Sequence, residues 1–321
     1  MDRVPLDFGG TSHALGIERR SETLNPAAKR CFLGSMKLGR FFSASHPFAR
    51  VGLTLDGLEV LDLSEVGVQS ITSLLDAPDL ESTLKRWAAG SLRRIPVSEM
   101  CLGAPVEDQE IWAAGVTYLR SKAARMEESD FSATAYDRVY EAARPEIFFK
   151  SQGSKAMGPG APVGIRSDAR WSVPEPELVL VFNRQGRRVG FTIGNDMSSR
   201  DIEGENLLYL PQAKTYRASC AIGPWIRVGA DEAEARSWSI GLEILRAGAT
   251  VFRGSTQVSQ IKRSFDELAG WLQRCQEFPK GSMLLTGTGI VPPNEFTLTE
   301  GDRVVIEIDG IGRLENPVIP V

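Results

Sequence analysis

Hydrophobic and polar positions alternate in short runs along most of this chain. Near the N-terminus the runs KLGRFF, ARVGLTLDG and LEVLDLS have the two-residue period of strands, and Asp56-Gly57 lies between the last two as a turn. Between residues 71 and 89 apolar positions recur at helical intervals, which predicts one helix with Ser70 or Thr72 as its N-cap. These elements predict a small α+β unit over residues 1–105, in which residues 1 to about 30 form a polar arm or leader.

The pattern changes after residue 110. The run IWAAGVTY predicts a strand, residues 121–143 are charged with helical periodicity, and EIFFK predicts another strand. Two further strands, PELVLV and RVGFTIGNDM, flank a turn at Gln185-Gly186. Short strands punctuated by glycine and proline, without a βαβ rhythm, predict a mixed and mainly antiparallel β architecture for residues 106–321.

Composition narrows the class of protein. The chain has 321 residues, of which 42% are hydrophobic, and a net charge of −4. This length allows one large core or two domains, and the negative charge argues against general binding of nucleic acid or an anionic membrane. Four widely spaced cysteines without a C-x-x-C pair favour a reduced, cytoplasmic protein. No stretch approaches the roughly 18 apolar residues of a membrane span, and the first residues have no hydrophobic signal core.

Three carboxylates stand out in this pattern. Glu175 and Glu177 lie two residues apart at the start of a strand, so their side chains point to one face. Pairing through the hairpin returns Asp196 to the same end. The group is either a solvated edge or a site for Mg²⁺ or Mn²⁺, which prefer hard oxygen ligands. Zinc and iron are disfavoured because the two histidines, His13 and His46, lie in the N-terminal region.

Two lysines are candidate catalytic or binding groups. Lys214 lies in a stretch that carries no other charge until Arg217, and burial there would favour the neutral amine, although a surface lysine fits the composition equally well. Lys150, at the end of EIFFK, has the same two interpretations. The glycine-containing segments at 158–160 and 286–289 lack the spacing of phosphate loops and are predicted to be turns.

Seven segments together resemble the fumarylacetoacetate hydrolase superfamily from about residue 110 to 321. They are PEIFFK, E-P-E, GNDMSSRDIEG, AKTY, GPWI, LLTGTG and EGDRVVIEIDGIGRLENPV. The resemblance implies an α+β protein, with a C-terminal mixed β-sandwich roll of the fumarylacetoacetate hydrolase type and a smaller α+β N-terminal domain. It also implies a homodimer or homotetramer. The corresponding domain limits are 1–105 and 106–321.

The resemblance also assigns roles to residues. It implies that Glu175, Glu177 and Asp196 hold Mg²⁺, with Mn²⁺ or Ca²⁺ as open alternatives, and that Lys214 is the active-site lysine. In the same motif Arg200 and Asp201 are expected to form an ion pair that shapes the turn.

Departures from the family pattern favour one reaction. Hydrolases of the family have a histidine after the turn that is Gly115 to Tyr118 here, but this chain has Ser121, which cannot serve as a base near neutral pH without help. Glu203 stands where those hydrolases often have glutamine. The segments DIEGENLLYLPQAKTY and RASCAIGPW resemble the 2-keto-3-deoxy-D-arabinonate (pentonate) dehydratase branch.

The resemblance therefore implies a Mg²⁺-dependent dehydratase that converts a 2-keto-3-deoxy sugar acid to 2,5-dioxopentanoate and water. Lys214 is the expected base and Glu203 the expected acid, with reversal of the two roles left open. Tyr118, Lys150, Arg166 and Ser167 are candidate contacts to a 2-oxo acid substrate, or structural residues. An acylpyruvate or fumarylpyruvate hydrolase, an oxaloacetate decarboxylase and a non-catalytic 2-oxo acid binder are the alternatives.

Overall fold

Short strands with glycine- and proline-containing turns form most of the structure. The computed structural model describes residues 35–43, 46–119 and 138–321, without the side chains of residues 46 and 47. The strands are β1 (Met36–Ser43), β2 (His46–Thr54), β3 (Glu59–Asp62), β4 (Arg94–Pro96), β5 (Cys101–Gly103), β6 (Glu110–Gly115), β7 (Glu146–Gln152), β8 (Val163–Ile165), β9 (Ser172–Val173), β10 (Pro176–Phe182), β11 (Arg188–Asp196), β12 (Ser198–Ser199), β13 (Cys220–Val228), β14 (Ser239–Arg246), β15 (Ala249–Gln257), β16 (Ser282–Leu285), β17 (Arg303–Ile308) and β18 (Gly312–Pro320).

Most of these strands belong to two sheets. Within the described residues the larger sheet has the order β4-β3-β2-β1-β13-β11-β10-β16-β6-β7, and β5 pairs with β1 beside this path. The smaller sheet has the order β15-β14-β17-β18-β8. Parallel pairs occur between β6 and β16 and between β8 and β18, whereas the other pairs are antiparallel. The predicted mixed and mainly antiparallel architecture is confirmed.

Strand β10 shows why the larger sheet is covered on both faces. All seven of its residues are buried, and it reads as a continuous apolar run rather than an alternating one after Glu177. Leu178 and Leu180 pack into a core shared with β14 and β17 of the smaller sheet. Val179 and Val181 point to the opposite face and pack against the N-terminal helices. Burial of each such side chain contributes roughly 1.5–3 kcal/mol.

The helices are short and lie at the margins of the sheets. They are α1 (Ile71–Leu75), α2 (Leu80–Ala88), α3 (Arg200–Glu205), α4 (Leu210–Lys214), α5 (Glu232–Arg236) and α6 (Phe265–Leu272). Short 3₁₀ turns cover Leu63–Val66, Val97–Glu99, Gly153–Lys155, Leu207–Tyr209 and Val258–Gln260. Among the described residues no helix is both long and apolar enough to cross a membrane.

The single helix predicted for residues 71–89 is wrong, because α1 and α2 are separate. Ser70 caps α1 as predicted, since its hydroxyl oxygen accepts a hydrogen bond from the backbone N–H of Ser73 at 3.2 Å. Pro78 lies between the helices. Proline lacks a backbone N–H and disfavours the helical conformation of the residue before it, so the first helix cannot continue through this position.

The described residues belong to one compact unit. Strand β1 pairs with β13, so the N-terminal strands extend the sheet that contains β10 and β11. The predicted domain boundary at residue 105 stays a prediction. The predicted leader and most of the predicted helix at 121–143 lie outside the described residues, as does Ser121.

Candidate metal centre and active site

The hairpin of β10 and β11 brings the three predicted carboxylates together. Its register pairs Pro176 with Asn195 and Glu177 with Gly194, and the backbone N–H of Asp196 donates to the carbonyl of Glu175 at 2.9 Å. Glu175, Glu177 and Asp196 are all buried. One carboxylate oxygen from each lies within 4.8 Å of the others. The solvated-edge interpretation therefore does not describe this group.

Three buried cations surround these carboxylates. The ammonium nitrogen of Lys214, the last residue of α4, lies 2.6 Å from Glu175 Oε2 and 3.2 Å from Asp196 Oδ2. Arg200 Nη2, from the first residue of α3, lies 2.9 Å from Glu175 Oε1. Lys150 Nζ, from β7, lies 2.5 Å from Asp196 Oδ1. Three carboxylates and three cations thus form one buried network.

Lys150 connects three separate segments of the chain. Besides its contact with Asp196, its ammonium donates to the carbonyl of Met197 at 2.9 Å and to the carbonyl of Lys214 at 2.5 Å. Two of its ammonium hydrogens thus have carbonyl acceptors, and the Asp196 carboxylate lies beside the same nitrogen as its ion-pair partner. The side chain is fully buried, so it fixes the end of β11 relative to the end of α4.

Sequence reasoning missed two residues of this network. Arg200 was expected to pair with Asp201, but its guanidinium contacts Glu175, while Asp201 accepts from the backbone N–H of Arg170 at 2.7 Å. The backbone N–H of Gly287 donates to Glu177 Oε2 at 2.5 Å. The sequence contains one indication of Gly287, because the TGTG segment directly follows the apolar run that forms β16. Since β16 pairs with β10, this segment lies beside the start of β10, where Glu177 is found.

Full ionisation of the three carboxylates is unfavourable even beside the neighbouring lysines and arginine. Burial, followed by the charges of Asp196 and Glu175, raises the pKa of Glu177 well above its usual range, although Lys214 and the Gly287 N–H oppose this. Burial likewise lowers the pKa of Lys150, against the attraction of Asp196. A buried set of three oxygen donors that disfavours its own full ionisation fits a hard divalent cation, which would relieve the repulsion.

This electrostatic arrangement predicts how the stability of the metal-free protein depends on pH. The folded state holds the Glu177 proton above the ordinary pKa of 4.5, so between that value and the raised one the folded state binds more protons than the unfolded chain. Stability contributed by this group is therefore present at low pH and falls as pH rises. We expect the melting temperature in EDTA to drop less between about pH 5 and pH 8 in Glu177→Gln than in the wild type.

The exposed Glu277 provides the control for that measurement. Glu277→Gln changes a surface carboxylate and should keep the wild-type pH dependence. If the melting temperature in EDTA changed equally with pH in the wild type and in Glu177→Gln, the buried carboxyl of Glu177 would not have the raised pKa expected from its surroundings.

Two further predicted residues, Glu203 and Tyr118, have buried side chains. Glu203, in α3, is buried, and its Oε2 accepts a hydrogen bond from Ser198 Oγ at 2.9 Å. Tyr118 is buried as well, and burial with the nearby charge of Glu177 raises the pKa of its hydroxyl. Gly289 makes room for this ring, because a Cβ there would lie 2.6 Å from Tyr118 Cδ1.

Arg166 and Ser167 lie farther out. The Arg166 guanidinium contacts Asp168 through Nε at 2.7 Å and Nη2 at 2.5 Å, and stacks 5.7 Å from the centre of the Tyr216 ring. Ser167 is exposed, and its backbone N–H donates to the carbonyl of Val321 at 3.1 Å. The structure therefore does not bring these two side chains into the carboxylate network.

A small cavity of about 10 Å³ opens against the carboxylates, a volume that suits one water molecule or ion. Its walls include Phe148, Gly115 and Thr288, which come from β7, β6 and the TGTG loop. The cluster thus offers space for a single ion beside its oxygen atoms.

Comparison with known proteins gives two close relatives. A family model described as fumarylacetoacetate hydrolase C-terminal matches residues 110–319. A Haloferax volcanii protein named probable 2-keto-3-deoxyxylonate dehydratase is 48% identical over 217 residues, which are 68% of this chain and 74% of that protein. A Saccharolobus solfataricus protein named 2-dehydro-3-deoxy-D-arabinonate dehydratase is 38% identical over 230 residues, which are 71% of this chain and 77% of that protein.

A solved structure also resembles this chain over most of its length. It is described as 2-keto-3-deoxy-D-arabinonate dehydratase complexed with magnesium and 2,5-dioxopentanoate. The two superpose with a TM-score of 0.75 at 31% identity, covering 89% of this chain and 99% of the other. The likeness therefore extends beyond the residues that the family model matches.

Proposed function

Because the chain belongs to the fumarylacetoacetate hydrolase family, we propose that it is a Mg²⁺-dependent dehydratase of a 2-keto-3-deoxy sugar acid. The substrate class is 2-keto-3-deoxy-D-arabinonate or the corresponding pentonate, and the products are 2,5-dioxopentanoate and water. The expected family and its mixed β fold agree with the family match and the superposition. The relatives described above support the reaction, since the names of both denote five-carbon 2-keto-3-deoxy acids as substrates.

The observation that carries this proposal is the buried cluster of Glu175, Glu177 and Asp196 with Lys214 beside it. These three carboxylates would hold the metal. When bound, Mg²⁺ supplies positive charge that polarises a 2-oxo group and acidifies the neighbouring carbon. A binding protein without catalysis has no need for a buried amine within hydrogen-bond distance of two of these carboxylates.

We assign the proton transfers to Lys214 and Glu203. The carboxylates beside Lys214 favour its charged form in the metal-free protein. With these carboxylates engaged by a metal, the buried amine would more readily be neutral and could accept a proton from C3 of the substrate. Glu203 is buried, and in its protonated form it could give a proton to the departing C4 hydroxyl. One proton and one hydroxide leave as water, and tautomerisation of the remaining five-carbon skeleton gives 2,5-dioxopentanoate. The reverse assignment of acid and base uses the same two residues.

The other predicted contacts fall into two groups. Lys150 belongs to the buried network, where it contacts Asp196, and Tyr118 is buried close enough to Glu177 to feel its charge, which supports a role in orienting the substrate. Arg166 and Ser167 lie outside the network, so they could contact only the distal hydroxyls of the substrate.

We also propose that the protein is cytoplasmic and that it forms a homodimer or homotetramer. Light scattering would test the oligomeric state. Free Cys101, Cys220 and Cys275 agree with a reducing compartment.

The direct test is turnover of 2-keto-3-deoxy-D-arabinonate. The purified protein is incubated with the acid and Mg²⁺, with and without EDTA, and 2,5-dioxopentanoate is measured through a coupled semialdehyde dehydrogenase. Product should form with Mg²⁺, disappear with EDTA and return when excess Mg²⁺ or Mn²⁺ is added. Cleavage of an acylpyruvate with no dehydration of the sugar acid would contradict the proposal and favour a hydrolase.

A separate prediction concerns Glu203. In Glu203→Gln the side chain keeps its hydrogen bond with Ser198 but cannot donate a carboxyl proton, so kcat should fall about 100-fold or more. Metal affinity, measured by calorimetry with Mn²⁺, should stay at the wild-type value because Glu203 is not among the clustered ligands. Glu205→Gln, on the same helix, is the matched control. Wild-type kcat in Glu203→Gln would remove this residue from the mechanism.

A further inference from the structure

A second and larger cavity lies beside β7, outside the carboxylate cluster. Its volume is about 520 Å³, within the range of small-molecule sites, and it opens between the end of β7 and the segment after α4. It shares no lining residue with the small cavity at the carboxylates. The two cavities are therefore distinct, although Lys150 of the buried network also lines the larger one.

The lining of this second cavity has an uneven charge. It includes basic residues and no acidic residue, although the whole chain has a net charge of −4. Lys155 and Arg217 are exposed at its rim, and neither forms an ion pair with any residue in the described part of the chain. Lys155 and Arg217 therefore place two positive charges without ion-pair partners at one cavity, and such a charge distribution attracts an anion.

Much of the cavity lining is apolar, although Lys150, Ser151, Gln152 and Thr215 also contribute to it. Phe149, Met157 and Ala218 line it together with one side of the Tyr216 ring. The Tyr216 hydroxyl is already engaged, since it donates to the carbonyl of Gly164 at 3.3 Å. An inorganic anion would leave this apolar lining uncovered, so a matching ligand needs both an anionic group and an apolar body.

We propose that this cavity binds a small organic anion with an aromatic or other apolar body. The carboxylate would lie between Lys155 and Arg217, and the apolar part would lie against Phe149 and Tyr216. Tyr216 follows Lys214 by two residues, and its ring centre lies 5.9 Å from Lys150 Nζ. The ligand would therefore contact the segment that carries the proposed base without entering the metal centre.

Benzoate is a suitable probe, with benzyl alcohol as its uncharged counterpart. Binding to the magnesium-loaded full chain is followed by calorimetry or ligand-observed NMR. We expect saturable benzoate binding with Kd of about 1 mM or tighter, and at least tenfold weaker binding of benzyl alcohol. The double variant Lys155→Glu with Arg217→Glu should weaken benzoate binding about tenfold, because two exposed attractions become repulsions.

Two controls locate the binding. A matched charge reversal at exposed Arg93 and Lys280 should leave benzoate binding unchanged. Glu177→Gln should also leave it unchanged, which separates the cavity from the metal centre and from the proposed dehydratase activity. Unchanged benzoate binding in the Lys155 and Arg217 double variant, or absence of saturable binding, would overturn the proposal. So would a change in oligomeric mass of that variant without loss of benzoate binding, because it would show that a second copy covers this surface.

Discussion

Glu177→Gln is expected to reduce kcat/KM for the sugar acid by at least about 100-fold and to raise the melting temperature of the metal-free protein. The loss of activity follows because one of three clustered carboxylates becomes a neutral amide. Even mutation of residues that only hydrogen-bond to metal ligands typically lowers metal affinity or activity about tenfold to a hundredfold. The gain in stability follows because burial and the charges of Asp196 and Glu175 disfavour an ionised carboxylate at this position. Function and metal-free stability therefore oppose each other here.

Two measurements together test this expectation. Turnover is assayed at saturating Mg²⁺, and melting is followed in EDTA and again with added Mg²⁺. The wild type should gain stability from Mg²⁺, whereas Glu177→Gln should gain much less. Glu277→Gln, which alters an exposed carboxylate, should match the wild type in both measurements. A melting temperature in EDTA below that of the wild type would mean that Glu177 stabilises the metal-free fold, contrary to the predicted repulsion.

Lys214→Met is expected to lower kcat by about 10²–10⁴-fold, the usual contribution of a positioned acid or base. The same change removes the cation that contacts both Glu175 and Asp196. Removing one partner of a buried ion pair typically costs about 3–5 kcal/mol, so the metal-free variant should melt well below the wild type. Mg²⁺ should restore part of that stability, because a divalent cation can neutralise the same two carboxylates.

Lys214→Arg separates the loss of the base from the loss of the charge. An arginine keeps a positive group near Glu175 and Asp196 but does not give up its proton near neutral pH. It should fold more stably than Lys214→Met and remain inactive. Lys280→Met, at an exposed position, is the control for an ordinary lysine replacement. Turnover of Lys214→Arg close to that of the wild type would exclude Lys214 as the base.

Glu177→Gln and Lys214→Met are expected to change the metal-free melting temperature in opposite directions, and this contrast tests the network as a whole. Glu177 is an acid whose ionisation is unfavourable without metal, whereas Lys214 supplies charge that the remaining carboxylates need. A site assembled mainly for stability would lose stability in both variants. The predicted rise for one and fall for the other is expected only of a cluster in which the carboxylates are held close together for a cation.

Local sequence patterns were sufficient for the hairpin and its carboxylates. Because strand side chains alternate with a period of two and the turn at Gln185-Gly186 fixes the pairing, the spacing of Glu175, Glu177 and Asp196 determines that they meet at one end. Local pattern was not sufficient for residues 71–89. The helical periodicity there was real, but Pro78 interrupted it, and only the packing of α1 and α2 showed where each helix ends.

Neighbours along the chain and ordered motifs were enough to predict the strands, the three carboxylates and the resemblance to a family. The groups that surround these carboxylates depend instead on contacts between distant segments. Lys150, Arg200 and Gly287 reach Asp196, Glu175 and Glu177 from segments 46, 25 and 110 residues away. No rule of spacing predicts such contacts, since they arise where sheet order and helix packing bring distant segments into one buried volume with unlike charges.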